Sequence, residues 1–203
     1  GDHRDLHSFP TRRSSDLGMG KSTTAQMFAD AGCAVWDADK AVHRLYAKGG
    51  AAVGQIARAF PNAIVDGAVD RGVLRDLISA NARVIGQLEA IVHPLVRGDR
   101  ASFANQSSAD VLVFDVPLLF ETGADAEMDA VVCVSVSAEL QEKRVVARNT
   151  MTGAQFLAIR DKQMPNDEKC ARSDFVITTE SLEDTRAQVH AVLEQIRGKM
   201  ADA

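Results

Sequence analysis

A cluster of glycine, lysine and hydroxyl residues near the amino terminus has the composition and spacing of a phosphate-binding loop. Glycines let the backbone turn so that successive N–H groups face an anion. Lys21 would reach the β- and γ-phosphates, the Ser22 hydroxyl would ligate Mg²⁺, and the amino terminus of the following helix would add its partial positive charge. An ordinary helix whose serine and threonine serve as caps has the same residue types. We interpret the cluster as the second half of a Walker A loop, consisting of Gly18, Met19, Gly20, Lys21, Ser22 and Thr23.

The residues ahead of this loop depart from the motif. The full pattern has a glycine five residues before Gly20, and this chain has Ser15 at that position. A buried strand is also expected there, yet residues 7–16 are polar, contain Pro10 and show no alternation. Because the composition changes abruptly at Leu17, we interpret residues 1–17 as a foreign segment and exclude them from the fold. A natural disordered basic arm is the alternative.

Carboxylates follow two of the predicted strands. Asp37 and Asp39 come at the carboxyl end of a short apolar strand, the edge where open α/β sheets bind ligands. A carboxylate there can accept a proton from a substrate hydroxyl, although Asp39 also stands where a helix N-cap would. Asp115 ends a continuous apolar run and fits a Walker B position in the Mg²⁺ shell, with a turn aspartate as the alternative. Glu121 ends a Pro-Leu-Leu-Phe-Glu stretch, where a solvated loop carboxylate would be ordinary.

Two sets of basic residues suit anion binding. His93 and Arg97 are four residues apart on a predicted helix, so they share a face, and the guanidinium fork fits a phosphate. His93 would otherwise simply cap a helix that begins at Pro94. Between two predicted strands lies a second set that fits a lid closing over transferring phosphates, or else a solvated charged face: Arg144, Arg148, Arg160 and Arg172.

Helices and strands alternate along the chain, which predicts a parallel, doubly wound α/β sheet. The strands are expected at residues 33–36, 111–116, 130–136 and 175–178, and Asp66-Gly67 predicts a hairpin turn. A helix over residues 20–30 should stop at Gly32. Further helices are expected at residues 40–46, 51–60, 71–80, 82–92, 138–148, 152–163 and 166–172, with another opened by His93-Pro94. The closing helix should run from Leu182 to Arg197 and stop at Gly198.

Composition excludes several classes of protein. With 203 residues, 46% hydrophobic and 25% charged, the chain suits one globular domain with insertions. Its net charge of −5 argues against broad nucleic-acid binding. No apolar run approaches the ~18 residues of a membrane span, and residues 1–17 lack the apolar centre of a signal peptide. The three cysteines are far apart in the sequence without metal-ligand spacing, so we expect reduced thiols in a cytoplasmic protein.

Taken in order, these segments resemble the dephospho-coenzyme A kinase family. That family combines a Walker A loop, a strand ending in Asp-x-Asp, an Asp-Gly turn with Leu-Arg, a Leu-Glu-x-Ile-x-His-Pro stretch, Pro-Leu-Leu-x-Glu, an arginine lid and an Asp-Phe-Val-Ile strand. Beyond the loop, the matching residues here are Asp37–Asp39, Asp66–Gly67, Leu74–Arg75, Leu88–Pro94, Val116–Glu121, Gln141 with Arg144, Arg148 and Gln163, and Ser173–Ile177. Many families share the Walker A loop, so the His-Pro and Pro-Leu-Leu-x-Glu stretches are the motifs that best distinguish this family from the others.

The resemblance implies a reaction and a role for each site residue. The ribose 3′-hydroxyl of dephospho-coenzyme A would attack the γ-phosphate of ATP in line, giving coenzyme A and ADP in the last step of coenzyme A biosynthesis. Such transfers rest on positioning and electrostatics, so no covalent nucleophile is needed. By this resemblance the catalytic residues are Asp39, Lys21 and Arg144; the ATP-binding residues are the loop residues and Arg148; the acceptor-binding residues are Asp37, His93, Arg97, Leu118 and Glu121; and the Mg²⁺ ligands are Ser22 and Asp115.

The resemblance also implies a P-loop fold with a three-part organisation after residue 17. The core would comprise residues 18–40, 108–137 and 174–203, the acceptor-binding helical insertion about 41–107, and the lid about 138–173. Loss of the leading strand and of the first loop glycine predicts weak activity or stability for this polypeptide. The alternatives are another small-molecule kinase, such as a nucleoside monophosphate kinase, and a non-catalytic nucleotide-binding protein. We expect a monomer or small homo-oligomer that binds neither nucleic acid nor membrane.

Overall fold

The computed structural model describes residues 18–147 and 164–202, and the chain divides into two compact units. In its described part, one unit comprises Trp36–Val116 and the other comprises residues 18–35, 117–147 and 164–202. The predictions for residues 1–17, for Arg148, Arg160 and Gln163, and for a helix at 152–163 lie outside the described residues.

The described elements are helices with short strands interspersed among them. Two 3₁₀ turns, Pro61–Ala63 and Ala124–Glu127, lie among them. In chain order the elements are α1 Lys21–Asp30, β1 Ala34–Asp37, α2 Ala38–Tyr46, α3 Val53–Ala59, β2 Ile64–Val65, β3 Ala68–Val69, α4 Arg71–Ala80, α5 Arg83–Gln106, β4 Leu112–Asp115, β5 Val132–Ser135, α6 Ala138–Ala147, α7 Asn166–Ala171, β6 Phe175–Thr178 and α8 Leu182–Ala201.

The unit spanning Trp36–Val116 has a helical core. Ile56, Leu74, Leu88 and Val92 are fully buried there, on α3, α4 and α5. Burying each such side chain contributes about 1.5–3 kcal/mol, which is what holds these helices together. β4 neighbours β1 in a two-stranded sheet.

The Asp-Gly hairpin is confirmed. β2 and β3 pair antiparallel, with Val65 opposite Ala68. The two turn residues both have positive φ, 52° at Asp66 and 82° at Gly67. Positive φ at both central positions is what a type I′ turn requires, and aspartate followed by glycine adopts it at low cost.

The predicted helix boundary at His93-Pro94 is wrong. One continuous helix, α5, runs from Arg83 to Gln106 with Pro94 inside it. Pro94 removes one backbone donor, which normally ends or kinks a helix. Here Val84, Leu88 and Val92 are buried on the turns before the proline, and this shared buried face keeps the helix in place. His93 therefore lies inside a helix and does not cap one.

The other unit contains the second pair of long strands. β5 and β6 are parallel, with Cys133 opposite Val176 and Ser135 opposite Thr178. α8 packs against β6 and α1, burying Ile177, Val189 and Leu193. Parallel strands separated in sequence by helices are the arrangement that the alternating pattern predicted.

Glycine ends one helix of this unit as predicted but not the other. Gly32 follows α1 with φ 92°, and Gly32 N and Cys33 N donate to Ala29 O and Phe28 O at 3.0 and 3.1 Å. This is the Schellman pattern of hydrogen bonds. The predicted stop at Gly198 is wrong, because α8 continues to Ala201. Glycine tolerates helical backbone at a cost of about 1 kcal/mol, so it ends a helix only where φ turns positive.

Candidate active site

The phosphate loop has the backbone conformation that its glycines predict. Gly18 and Gly20 have φ of 80° and 91°, in the left-handed region. Gly20 is the N-cap of α1, no side chain caps this helix, and Thr24 N donates to Gly20 O at 2.9 Å. The interpretation in which Ser22 and Thr23 merely cap the helix is therefore wrong. Both residues are exposed in the first turn of α1.

The guanidinium of Arg144 binds the backbone of this loop. From α6, Arg144 Nη1 donates to Gly18 O and to Thr179 Oγ1, each at 3.2 Å, and Nη2 donates to Thr179 O at 2.5 Å. A predicted lid arginine thus lies beside the loop that would hold the triphosphate. Its guanidinium is held against the backbone of that loop.

Thr179 accepts two of these hydrogen bonds from Arg144, and no sequence pattern indicated this residue. It follows β6 directly, and its hydroxyl donates to Met19 O at 2.5 Å. A Cβ placed on Gly20 would lie 3.0 Å from the Thr179 Cβ and Oγ1. Glycine at position 20 is therefore required both by its positive φ and by the close approach of Thr179.

Gly18 is confined in the same way by α6. A Cβ on Gly18 would lie 2.8 Å from Gln141 O and 3.1 Å from Val145 Cγ2. Gln141 belongs to the Gln-x-x-Arg pattern of the sequence, and its side chain is buried. This helix thus supplies both the close backbone contact to the loop and the guanidinium bound to it.

In the unit spanning Trp36–Val116, the aspartates at the end of β1 and in the first turn of α2 have different surroundings. Asp37 caps α2, accepting a hydrogen bond from Lys40 N at 2.9 Å, and its carboxylate is 3.6 Å from Lys40 Nζ. The N-cap interpretation of Asp39 is therefore wrong, because the cap lies two residues earlier. Asp39 is exposed in the first turn of α2. A carboxylate in that turn is favoured by the helix dipole.

The basic pair on α5 has the predicted helical spacing. His93 and Arg97 are both exposed and one turn apart on this continuous helix.

Two residues after Arg97, Asp99 Oδ1 accepts from Trp36 Nε1 at 2.7 Å and from Arg44 Nη2 at 2.6 Å. Asp99 thereby ties the end of β1 and helix α2 to α5, a role that no local sequence pattern indicated.

The carboxylates of Asp115, at the end of β4, and Glu121, in the following turn, also differ in their surroundings. Asp115 is half-buried at the end of the strand. Glu121 forms an ion pair with Lys169 of α7, at 3.0 Å between Oε1 and Nζ. Leu118, in the turn between them, is buried and has φ 59°. Glu121 is thus held by a cation of its own chain, which a solvated loop carboxylate would not be.

Arg172 from the predicted lid set is bound to the turn around Glu121. Its Nη2 lies 3.1 Å from Asp125 Oδ2, and its guanidinium carbon is 4.6 Å from the centroid of the Phe120 ring. Arg172 is therefore engaged with this turn, whereas Arg144 is engaged with the phosphate loop.

The oxygen donors named for magnesium suit that ion chemically. Mg²⁺ is typically bound by one or two carboxylates or hydroxyls together with substrate phosphates. Ser22 presents an exposed hydroxyl on the first turn of α1, and Asp115 presents a carboxylate at a strand end. Within the part of the chain that the structure describes, no group of three or more His, Cys, Asp and Glu side chains could hold a metal without such a substrate.

The fold and the loop define a class of protein. A glycine loop with left-handed residues opens a helix in an α/β structure with parallel strands, and an arginine is bound to that loop. This combination is that of a P-loop nucleotide-binding protein. Among the described helices, none combines the length and apolar character needed to cross a bilayer.

Comparison with known proteins gives the family. A sequence model of dephospho-CoA kinase matches residues 14–184. The dephospho-CoA kinase of Ruegeria pomeroyi is 62% identical over 181 residues, covering 89% of this chain and 92% of that protein. That of Cereibacter sphaeroides is 52% identical over 198 residues, covering 98% and 100%. The chain belongs to the dephospho-CoA kinase family and is thus an ATP-dependent transferase.

Solved structures agree with this fold. The crystal structure of TT1252 from Thermus thermophilus superposes with a TM-score of 0.76 at 30% identity, covering 88% of this chain and 93% of that one. Dephospho-CoA kinase from Campylobacter jejuni superposes with a TM-score of 0.65 at 24% identity, covering 89% and 93%. The expected P-loop α/β fold is confirmed.

Proposed function

We propose that this chain transfers the γ-phosphate of ATP to the ribose 3′-hydroxyl of dephospho-CoA, giving CoA and ADP, in the cytoplasm as a monomer or small homo-oligomer. The observation that carries the proposal is the glycine loop of left-handed backbone with the Arg144 guanidinium bound to it. A charged donor fixed beside the loop before nucleotide arrives stabilises transition-state charge without reorganising during the reaction.

The loop would hold the triphosphate. Its backbone N–H groups, from Gly18 to Thr23, would bind the phosphate oxygens, and the Lys21 ammonium would neutralise the β- and γ-phosphates. Arg144 would stabilise charge on the transferred group, and Arg148 would clasp the nucleotide. When bound, Mg²⁺ would neutralise phosphate charge, held by the Ser22 hydroxyl and the Asp115 carboxylate.

The acceptor would be held by residues of the helical insertion and of the turn after β4. Asp39 would accept or orient the proton of the attacking hydroxyl. His93 and Arg97 would bind the anionic groups of the acceptor, since both side chains are exposed on one face of α5. We also assign Asp37, Leu118 and Glu121 to acceptor binding, and Asp37 in addition caps α2.

The proposal also assigns the parts of the chain. Residues 41–107 would form the acceptor-binding insertion and residues 138–173 the lid, while residues 18–40, 108–137 and 174–203 would form the core. The insertion would include the cluster of fully buried side chains on α3, α4 and α5. Because the insertion has a hydrophobic core of its own, it can be stable while its surface residues contact the acceptor.

A coupled assay of ADP release with purified chain, ATP, Mg²⁺ and dephospho-CoA tests the proposal. Lys21→Met should abolish turnover, whereas Lys199→Met should leave it unchanged, because Lys199 is an exposed lysine near the end of α8 and outside the proposed lid. The CoA formed should carry its new phosphate on the ribose 3′ oxygen by phosphorus NMR. Phosphate appearing on nucleoside monophosphates instead, or nucleotide binding without any transfer, would contradict the proposal.

A further inference from the structure

We propose that Thr179 is a positioning residue that fixes the phosphate loop and seats Arg144 on it. The proposal rests on the proposed function in one respect, because it takes the loop as the nucleotide site. Thr179 lies just beyond the carboxyl end of β6, 160 residues after Met19 in the sequence. Its side chain is only 5% exposed, so its hydroxyl must find partners inside the protein.

The hydroxyl links the loop to the arginine. It accepts from Arg144 Nη1 at 3.2 Å and has one proton to donate. Met19 O at 2.5 Å and Ser135 O at 3.3 Å are the two carbonyls within reach, and the shorter distance favours Met19. One side chain thereby holds the middle peptide of the loop and orients the guanidinium.

The backbone of Thr179 is itself anchored. Its N–H donates to Ser135 O at 2.8 Å, which continues the β5–β6 ladder by one residue. Its carbonyl accepts from Arg144 Nη2 at 2.5 Å. The loop is therefore attached, through one residue, to the end of the parallel sheet.

The aliphatic part of the side chain has a separate role. The Thr179 Cβ, Oγ1 and Cγ2 would meet a Cβ on Gly20 at 3.0–3.1 Å. The Thr179 side chain thus packs closely against Gly20. Valine would preserve this packing while removing the hydroxyl.

The donors of Arg144 are mostly used by these contacts. Since Arg144 directs three N–H groups at Gly18 and Thr179, at most two of its five N–H groups remain for a phosphate.

Thr179→Val should lower ATP affinity about tenfold, because Met19 O and Arg144 Nη1 each lose a partner. Thr179→Ser, which retains the hydroxyl, should restore most of the affinity. Thr178→Val is the matched control, since the Thr178 side chain is exposed on the preceding residue. Titration calorimetry with ATP and Mg²⁺, and KM for ATP against kcat, measure these effects; Thr179→Ala replaces the valine variant if that variant does not fold.

Amide hydrogen exchange of residues 18–22 without nucleotide provides a second measurement. Exchange should accelerate in Thr179→Val and not in Thr178→Val. Unchanged exchange together with unchanged ATP affinity, even with a lowered melting temperature, would overturn the positioning role. Absence of ATP binding by the wild-type chain would instead refute the proposed function, and the exchange data would still decide the role of Thr179.

A second pair of side chains carries an independent inference. Cys133 Sγ on β5 lies 3.2 Å from Cys170 Sγ on α7. Cys133 is buried, Cys170 is half-buried, and Asn166 Nδ2 lies 3.6 Å from Cys170 Sγ. The geometry points to a dithiol site that forms an intramolecular disulfide when a low-molecular-weight disulfide acts as oxidant.

The chemistry is thiol–disulfide exchange in two steps. The more accessible Cys170 thiolate attacks the external disulfide, forms a mixed disulfide and releases one thiol. The Cys133 thiolate then attacks Cys170 Sγ and releases the second thiol. The two protons lost by the cysteines are taken up by the released thiolates, so the cysteines are oxidised and the external disulfide is reduced.

Oxidised glutathione is the probe, followed by alkylation under denaturing conditions and intact mass measurement. With three cysteines in the chain, the reduced protein should take up three alkyl groups and the oxidised protein one, at Cys33, the internal control. Cys170→Ser should prevent the disulfide, and peptide mapping should find Cys133 joined to Cys170. Three alkyl groups after oxidation, or a stable glutathione adduct at Cys170, would overturn the inference.

Discussion

Lys169 Nζ lies 3.0 Å from Glu121 Oε1, and the two side chains are only 10% and 15% exposed. The ion pair joins α7 to the turn that follows the Pro-Leu-Leu-Phe sequence. Arg172 strengthens the same connection through Asp125 and Phe120. Glu121 is therefore a structural anchor in addition to any contact that it makes with an acceptor.

Removing the cation of this pair should destabilise the fold. Lys169→Met would leave the Glu121 carboxylate unpaired in a mostly buried position. Breaking a fully buried pair costs about 3–5 kcal/mol, and the residual exposure of both groups lowers our expectation to about 2 kcal/mol. Urea unfolding at neutral pH measures the change.

The double variant Lys169→Met/Glu121→Leu should recover most of the loss, because it removes both charges. Equal destabilisation in the single and double variants would mean that packing, and not charge, holds α7 in place. If Glu121 also binds the acceptor, Glu121→Gln should raise the KM for dephospho-CoA without changing the KM for ATP.

Asp39 should act in catalysis, whereas Asp37 should contribute to stability as a helix cap. Asp39→Asn should lower kcat by about 10²–10⁴ with the KM for ATP unchanged, since it removes the proposed proton acceptor. Asp37→Asn should leave stability nearly unchanged because asparagine also caps, whereas Asp37→Ala should cost about 1 kcal/mol. Steady-state kinetics and urea unfolding of all three variants provide the comparison; comparable kcat in Asp39→Asn and the wild type would remove Asp39 from the mechanism.

Tyr46 should make stability depend on alkaline pH. Burial raises the pKa of the Tyr46 hydroxyl above its ordinary value of 10.0, against a smaller opposing effect of Arg71. Below about pH 10 both the folded and the unfolded chain hold this proton, so the contribution is fully present. As the pH rises further, the unfolded state ionises first and folding weakens, by about 1 kcal/mol at about pH 11.

Urea unfolding of the wild type and Tyr46→Phe at about pH 8 and pH 11 isolates this contribution, because the other alkaline groups titrate in both proteins. Tyr46 is the only tyrosine of the chain, so phenolate absorbance reports it directly. Identical pH dependence in the two proteins, or phenolate formation at the ordinary pKa in the folded state, would contradict the prediction.

The residues before the loop give a further prediction. Replacing the polar segment by an apolar strand, together with Ser15→Gly, should raise ATP turnover with dephospho-CoA and raise thermal stability. Glycine lets the backbone approach the β-phosphate, and the strand would complete hydrogen bonds of the sheet. Equal turnover and equal melting temperature before and after the replacement would refute the interpretation of residues 1–17 as foreign.

The sequence predicted the elements whose signals are local. The hairpin at Asp66-Gly67, the stop at Gly32 and the β6 strand each depend on a few neighbouring residues, and each lies where the pattern indicated. The predictions at Pro94 and Gly198 were wrong for a common reason. A glycine inside a helix costs about 1 kcal/mol and a proline about 3 kcal/mol or more, and helix packing over many residues can offset such amounts.

The sequence by itself determined the family, most of the described helices and strands, and the glycine loop, because periodicity, turn residues and short motifs are properties of adjacent positions. Only the tertiary structure decided that Thr179 and Arg144 hold that loop, that Lys169 pairs with Glu121, and that Cys133 meets Cys170. These contacts join residues from 35 to 160 positions apart. Such pairs form because parallel strands and packed helices bring distant chain segments together, and no spacing along the sequence encodes that distance.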